Sequence, residues 1–316
     1  MPRLRLVIVI PLLVLSVSTG VSHAQPWAPG IVPPGATSPV GVPPPPRIPF
    51  TLTEKEQGDL EVLLKAWEHH SGQIQTFAAE FTKFEYDATW AKAPPPGQAP
   101  NFLTHTFEGE VKFAKPDKGL FHITKMDKKP ADDGEYWVCD GKAIYSKDYR
   151  TKTVKEFRLP LELQGKAISD GPMPFVFGVE AEKMKARYWL RIITPGEVKG
   201  QVWVEAFPKH LRDAENFRKI EVILGDKDLT PVALKVFKPN DASPQFTVAD
   251  AYALRDIKKN SMIDRFRDFV TGNFVGPPTP IGWKRVVEDP AAATATAPDI
   301  NLPQKAERPL TLPPRR

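Results

Sequence analysis

Cysteine is nearly absent: Cys139 is the single thiol in 316 residues, so no internal disulfide can form and the fold must stand on its core. The run around it, Tyr136-Trp137-Val138-Cys139-Asp140, is apolar up to a turn, which casts Cys139 as a small buried hydrophobe rather than a reactive group. Catalytic signatures are lacking as well. No G-x-S-x-G, phosphate-binding loop, H-E-x-x-H or C-x-x-C occurs. His69 and His70 are adjacent and would diverge by ~100° on a helix, and His105, His122 and His210 are scattered, with no cysteine or carboxylate at ligand spacing. Asp132-Asp133 and Asp226 with Asp228 fall in turns. No enzyme, metal site or cofactor is expected. Beyond the first residues no apolar run approaches the ~20 that a membrane helix needs, so the chain is not expected to span a membrane. The formal charge is +5, but Arg3, Arg5 and Arg47 lie near the start and Lys305, Arg308, Arg315 and Arg316 at the end. The body has no basic stripe, and a nucleic-acid partner is not expected.

Proline is abundant, with 35 residues, and its placement divides the chain. Ten fall within residues 25–50, where fixed φ and missing donors preclude a packed element. Met-Pro-Arg-Leu-Arg followed by the apolar run Leu6 to Leu15 and by Ser22-His23-Ala24 has the form of a secretory signal cut after Ala24. The expected organisation is a signal peptide at 1–24, a Pro-rich disordered linker at 25–50, one folded domain at 51–287 and a disordered Pro-rich tail at 288–316. The mature chain would be exported to the periplasm or cell envelope, with the linker as an extended spacer of about 80 Å at ~3.1 Å per residue.

Within the domain, Thr53-Glu54-Lys55-Glu56 is a capping box, and Leu60, Leu63, Leu64 and Trp67 form the stripe of a helix over 54–71. The period then changes to two. Phe77, Ala79 and Phe81 alternate, and Phe84, Tyr86, Ala88 and Trp90 alternate on the other parity, which predicts a β-bulge between them. Phe107, Gly109, Val111 and Phe113 form a return strand, followed by strands at Leu120–Met126, Tyr136–Cys139, Ala143–Lys147 and Lys152–Leu159. Residues 160–186 interrupt the alternation with the apolar loop Gly171-Pro172-Met173-Pro174-Phe175-Val176-Phe177-Gly178 and a helical patch at Glu180–Arg187. Strands resume at Tyr188–Thr194, Gln201–Phe207, Arg218–Leu224, Val232–Phe237 and Gln245–Ala253, and Phe266, Phe269 and Val270 point to a last helical turn. Consecutive strands without crossover helices predict a mainly β fold with α (α+β): a strongly curved antiparallel sheet, or half-open barrel, of about ten strands with an N-terminal helix and a short helical lid.

Several segments in this order resemble the periplasmic carriers that ferry lipoproteins to the outer membrane. They are Ile74-Gln75-Thr76-Phe77-Ala78-Ala79-Glu80-Phe81, Gly109-Glu110-Val111-Lys112-Phe113-Ala114-Lys115-Pro116, Val138-Cys139-Asp140-Gly141-Lys142-Ala143-Ile144-Tyr145, Pro174-Phe175, Phe207-Pro208-Lys209 and Leu229-Thr230-Pro231. The chain looks closer still to an uncharacterised planctomycete-type exported subfamily through Trp137, Gly171-Pro172 and the closing Pro280-Ile281-Gly282-Trp283-Lys284. The resemblance implies a non-catalytic carrier holding a lipid or lipoprotein acyl chain in its concave face, beneath a lid. It also implies a lid latch at Lys115, where the family has an arginine, and lysine lacks the planar fork.

Val111, Phe113, Phe121, Ile123, Trp137, Ile144, Phe175 and Phe177 are the expected ligand-binding residues, the last two on the lid. An equally plain alternative is that they pack together as ordinary core. A further alternative is an envelope protein-interaction or lipid-sensing module with a protein partner. If the signal is read correctly, the exported protein begins at Gln25 by N-terminal sequencing, and a retained Met1 end contradicts it.

Overall fold

The computed structural model describes residues 48–88, 102–165, 175, 180–239, 248–261 and 274–288, all within the unit Pro43–Arg316. The expected signal peptide, most of the linker, the tail and the last helical turn lie outside the described residues, as does Phe177.

The chain opens with helix α1 (Glu54–Gly72), started by a complete capping box: Glu56 N donates to Thr53 Oγ1 and Thr53 N to Glu56 Oε2. The strands β1 (Thr76–Tyr86), β2 (Leu103–Ala114), β3 (Lys118–Met126), β4 (Lys129–Pro130), β5 (Tyr136–Asp140), β6 (Ala143–Asp148) and β7 (Thr153–Arg158) follow. After a 3-10 turn at Leu161–Leu163 come α2 (Ala181–Arg187), β8 (Tyr188–Ile192), β9 (Gln201–Pro208), α3 (Leu211–Ala214), β10 (Lys219–Gly225), β11 (Pro231–Phe237), β12 (Ala249–Lys259) and β13 (Lys284–Glu288). These strands form one sheet of thirteen, in the order β13-β7-β6-β5-β3-β2-β1-β12-β11-β10-β9-β8, with β4 beside β3. Pairing is antiparallel except between β13 and β7. The mainly β half-barrel class holds, with more strands than the expected ten.

Three local expectations change. Pairing of β1 with β2 runs without a slip from Thr76 to Glu85, so no residue is inserted between Phe81 and Phe84. The extra residue sits instead in β12, where Ala78 pairs with Lys258 and Glu80 with Arg255, and Asp256 takes φ +49°. β12 also continues to Lys259, past the expected end at Ala253, because pairing to β1 carries its charged residues along. The third change is β13, whose residues are all exposed and so lack a periodic burial signal.

The inward face divides into two cores. α1 covers β8 to β10, burying Leu64 and Trp67 with Tyr188, Val204, Val222 and Leu224. The β1–β6 half carries a separate cluster around Phe77, Phe81, Val111, Phe113 and Phe121. On the outer face, Leu120, Val138, Ala143 and Tyr145 form a third, smaller cluster against Phe274. There the Gly276 backbone lies on the Tyr145 ring, so close that a Cβ would stand 2.5 Å from Tyr145 Cζ.

Asn260 ties α1 to the sheet. Its Oδ1 accepts from Gln75 N at 2.6 Å, and its Nδ2 donates to the Gln73 carbonyl at 3.0 Å. Gly109 is needed for a different reason: a Cβ there would meet the His122 carbonyl oxygen at 2.2 Å and Phe81 Cζ at 2.5 Å. Gly109→Val should therefore destabilise the fold by about 1–3 kcal/mol through overpacking, read as a lower urea midpoint. An unchanged midpoint would show that both the Phe81 ring and the β3 backbone at His122 shift at little cost.

Candidate ligand-binding site

Strand alternation places side chains two apart on one face, and the register of the central strands decides which ones meet. Phe81 lies opposite Gly109 and Leu254, and Val111 lies opposite Phe121, which in turn faces Trp137. Since Gly109 offers no side chain, the Phe81 ring crosses β2 and stacks on Phe121 of β3, with centroids 4.8 Å apart and planes within 12°. Phe121 stacks in turn on Trp137 at 6.0 Å and 9°, and Tyr252 meets Phe81 edge-on at 5.9 Å. The result is a row of four rings across β12, β1, β3 and β5, in geometries that aromatic pairs favour.

Six of the eight expected binding residues come together here. Val111, Phe113, Phe121 and Ile123 are buried, at 4–7% exposure, and Trp137 and Ile144 pack against them half-buried. Phe175 does not join them. It is buried in the other core, its ring 4.9 Å from Tyr188, beneath α1. Lys115 donates from Nζ to the Gly72 carbonyl at 2.6 Å, so its ammonium holds the C-terminal end of α1, where a cation is favoured. The segment leading into the expected lid is anchored by Asp117: its Oδ2 accepts from Gly165 N at 2.6 Å.

The expected binding set left out Phe81, Phe107 and Tyr252, which line the same face. It also missed a charged group at one end of it. Lys83 occupies the inward position after Phe81, opposite Phe107 and Tyr252. Its Nζ stands 3.0 Å from Asp250 Oδ2, which also takes Lys238 Nζ at 2.5 Å. The ammonium lies 5.4 Å from the Phe107 ring centre and 5.7 Å from that of Tyr252, within cation–π range. The available signal was a lysine on the parity of Phe77, Ala79 and Phe81, hidden by the expectation of a β-bulge that puts Phe84 and Tyr86 on the inward face.

Burial governs the electrostatics. Desolvation works against the Lys83 ammonium, but Tyr252, Asp250 and Glu135 together reverse it, and its pKa rises. Desolvation raises the Glu135 carboxyl above the usual carboxylate range, although Lys83 opposes this. Burial likewise pushes the Tyr252 phenol upward and the Cys139 thiol up to about 12, which leaves that thiol neutral and unreactive. Two polar atoms on this face, Asp250 Oδ1 and Trp137 Nε1, are buried without a hydrogen-bond partner among the described residues. No group of three or more metal-ligating side chains occurs among the described residues, and no helix there is long and apolar enough to cross a membrane.

No family model and no curated protein matches this chain. Solved structures do. An uncharacterized conserved protein from Thermus thermophilus is similar at 8% identity and TM-score 0.41, covering 73% of this chain and 99% of that one. A LolA superfamily protein from Nitrosomonas europaea is similar at 10% identity and TM-score 0.30, covering 66% and 96%. The Mycobacterium tuberculosis lipoprotein LppX is similar at 10% identity and TM-score 0.35, covering 66% and 99%.

Because Glu135 binds its proton more tightly when folded, the folded state holds more protons than the unfolded one just above the ordinary carboxylate range. Its contribution to stability is present at acid pH and declines as pH rises through the raised value. Glu135→Gln removes this decline. The variant should gain thermal stability relative to the parent as pH rises above the ordinary carboxylate value, and a melting difference that does not change with pH contradicts the assignment.

Proposed function

We propose that the protein is an exported, non-catalytic carrier that holds a hydrophobic ligand, a lipid or a lipoprotein acyl chain, on the concave face of the β1–β6 half-sheet. The observation carrying this reading is the row Tyr252, Phe81, Phe121 and Trp137, backed by Val111, Phe113, Ile123 and Ile144. Such a row runs across β12, β1, β3 and β5 without a helix from α1 to α3 packed into its cluster. At ~0.8 kcal/mol per buried CH₂, a ~14-carbon chain would contribute on the order of 10 kcal/mol gross. Ordering and association costs reduce this to a reversible affinity suited to pick-up and release.

Phe175, within the apolar segment 171–178, lies in the neighbouring core, and Asp117 accepts from Gly165 N ahead of that segment. In the carrier reading that segment moves when the ligand enters, and Lys115 keeps α1 in place while it does. The linker at 25–50 serves as the spacer that sets how far the domain reaches within the envelope.

One observation favours a structural domain with a filled core: Val111, Phe113, Phe121 and Ile123 are already withdrawn from solvent. Native mass spectrometry of the protein purified from its own host separates the two readings. A carrier shows a co-purifying acyl-bearing ligand that is lost in Phe121→Glu and Phe113→Glu variants with the parent circular dichroism. A bare polypeptide mass, with no uptake of added fluorescent fatty acid, sinks the carrier.

A further inference from the structure

The concave face changes character along its strands. Around Phe77, Val111 and Phe113 it is hydrocarbon. At the other end β1 contributes Lys83 and Glu85, β12 contributes Asp250, the approach to β5 contributes Glu135, and Lys238 follows β11. Among the described residues these are three carboxylates and two ammonium groups. Asp250 is 4% exposed, and removing its charge from water is costly unless its partners answer that cost. Its Oδ2 is answered twice, by Lys83 and Lys238, but its Oδ1 is buried and accepts nothing among the described residues.

An oxygen in that position can only accept. Both lysines are committed to the neighbouring oxygen of the same carboxylate, so neither is left over for an incoming anion. The aromatic faces of Phe107 and Tyr252, which already flank Lys83, also suit an alkylammonium group. We propose that this end of the concave face receives the head of an amphiphile, a head that donates hydrogen bonds and bears positive charge, while its hydrocarbon lies along Phe81, Phe121 and Trp137. This rests on the acyl-chain reading above and adds the chemistry of the head.

Isothermal titration of the full chain with dodecylamine and with laurate, both below micelle formation, tests it, since the two share a chain length and differ in the head. Dodecylamine should bind about tenfold more tightly, the effect of one charge-assisted hydrogen bond. The chain carries +5 overall, so non-specific attraction would favour laurate instead. Asp250→Asn would strip both lysines of their partner and endanger folding, so Glu135→Gln is the variant of choice: Glu135 takes part in no ion pair among the described residues. Its substitution should bring the two affinities closer together. Equal binding of the two probes, or tighter laurate, overturns the head assignment and leaves the acyl-chain reading standing. An amine preference that Glu135→Gln does not reduce also overturns it, because the preference then arises elsewhere. If neither probe binds, the acyl-chain reading itself fails and the head assignment goes with it.

Discussion

Both halves of the molecule take their register from β1. It is the central strand, paired to β2 on one side and to β12 on the other, and its partners are distant in sequence on the β12 side. Since side chains alternate with period two, one register error on either flank would turn a whole half-sheet inside out. The pairing of Lys83 with Tyr252 and of Phe81 with Leu254 therefore decides more than two contacts. It makes the inward faces of β2 to β6 and of β12 to β8 one continuous surface. The bulge at Asp256 adjusts that pairing in β12 beside Ala79, where Phe77 and Ala79 are buried and Ile257 packs against their cluster.

That surface is used in two ways. Over β8 to β10 it is closed by α1, whose stripe of Leu60, Leu63, Leu64 and Trp67 matches a helix packed on a sheet. Over β1 to β6 the same face is lined by a row of rings, with Phe81, Phe121 and Trp137 stacked and Tyr252 edge-on to Phe81. Asn260 and Lys115 hold the end of α1 at the boundary, so the helix serves one half without sliding over the other. The contrast between a helix-covered core and a ring-lined face gives the β1–β6 half its functional interest.

The charged end of the face adds a constraint that hydrocarbon packing does not need. A buried lysine and aspartate gain little net stability over apolar residues of the same size. Their presence beside an aromatic row makes this face amphipathic along its strands. Burial raises the Glu135 carboxyl at this end, against the opposing pull of Lys83.

Much of the architecture was legible in the chain itself. The capping box and the Leu60–Trp67 stripe specify α1, and period-two runs with turn residues specify most strands, because those signals are local. The inward role of Val111, Phe113, Phe121 and Ile123 followed from the same alternation. Other features were illegible for identifiable reasons. The expected bulge after Phe81 hid Lys83, because a charge on an inward position is intelligible only with Asp250, 167 positions away, in view. Phe175 could be placed on an apolar segment but not in the core beneath α1. β13 has no buried face to betray it. Cysteine scarcity, noted at the outset, excluded disulfides, and the fold bears out a core-held domain with Cys139 buried within it. Local sequence determined which segments are helix or strand and which residues turn inward, because propensity and alternation act over a few residues. Only the tertiary structure decided which inward residues share a cluster, because strand order and register join residues far apart in the chain.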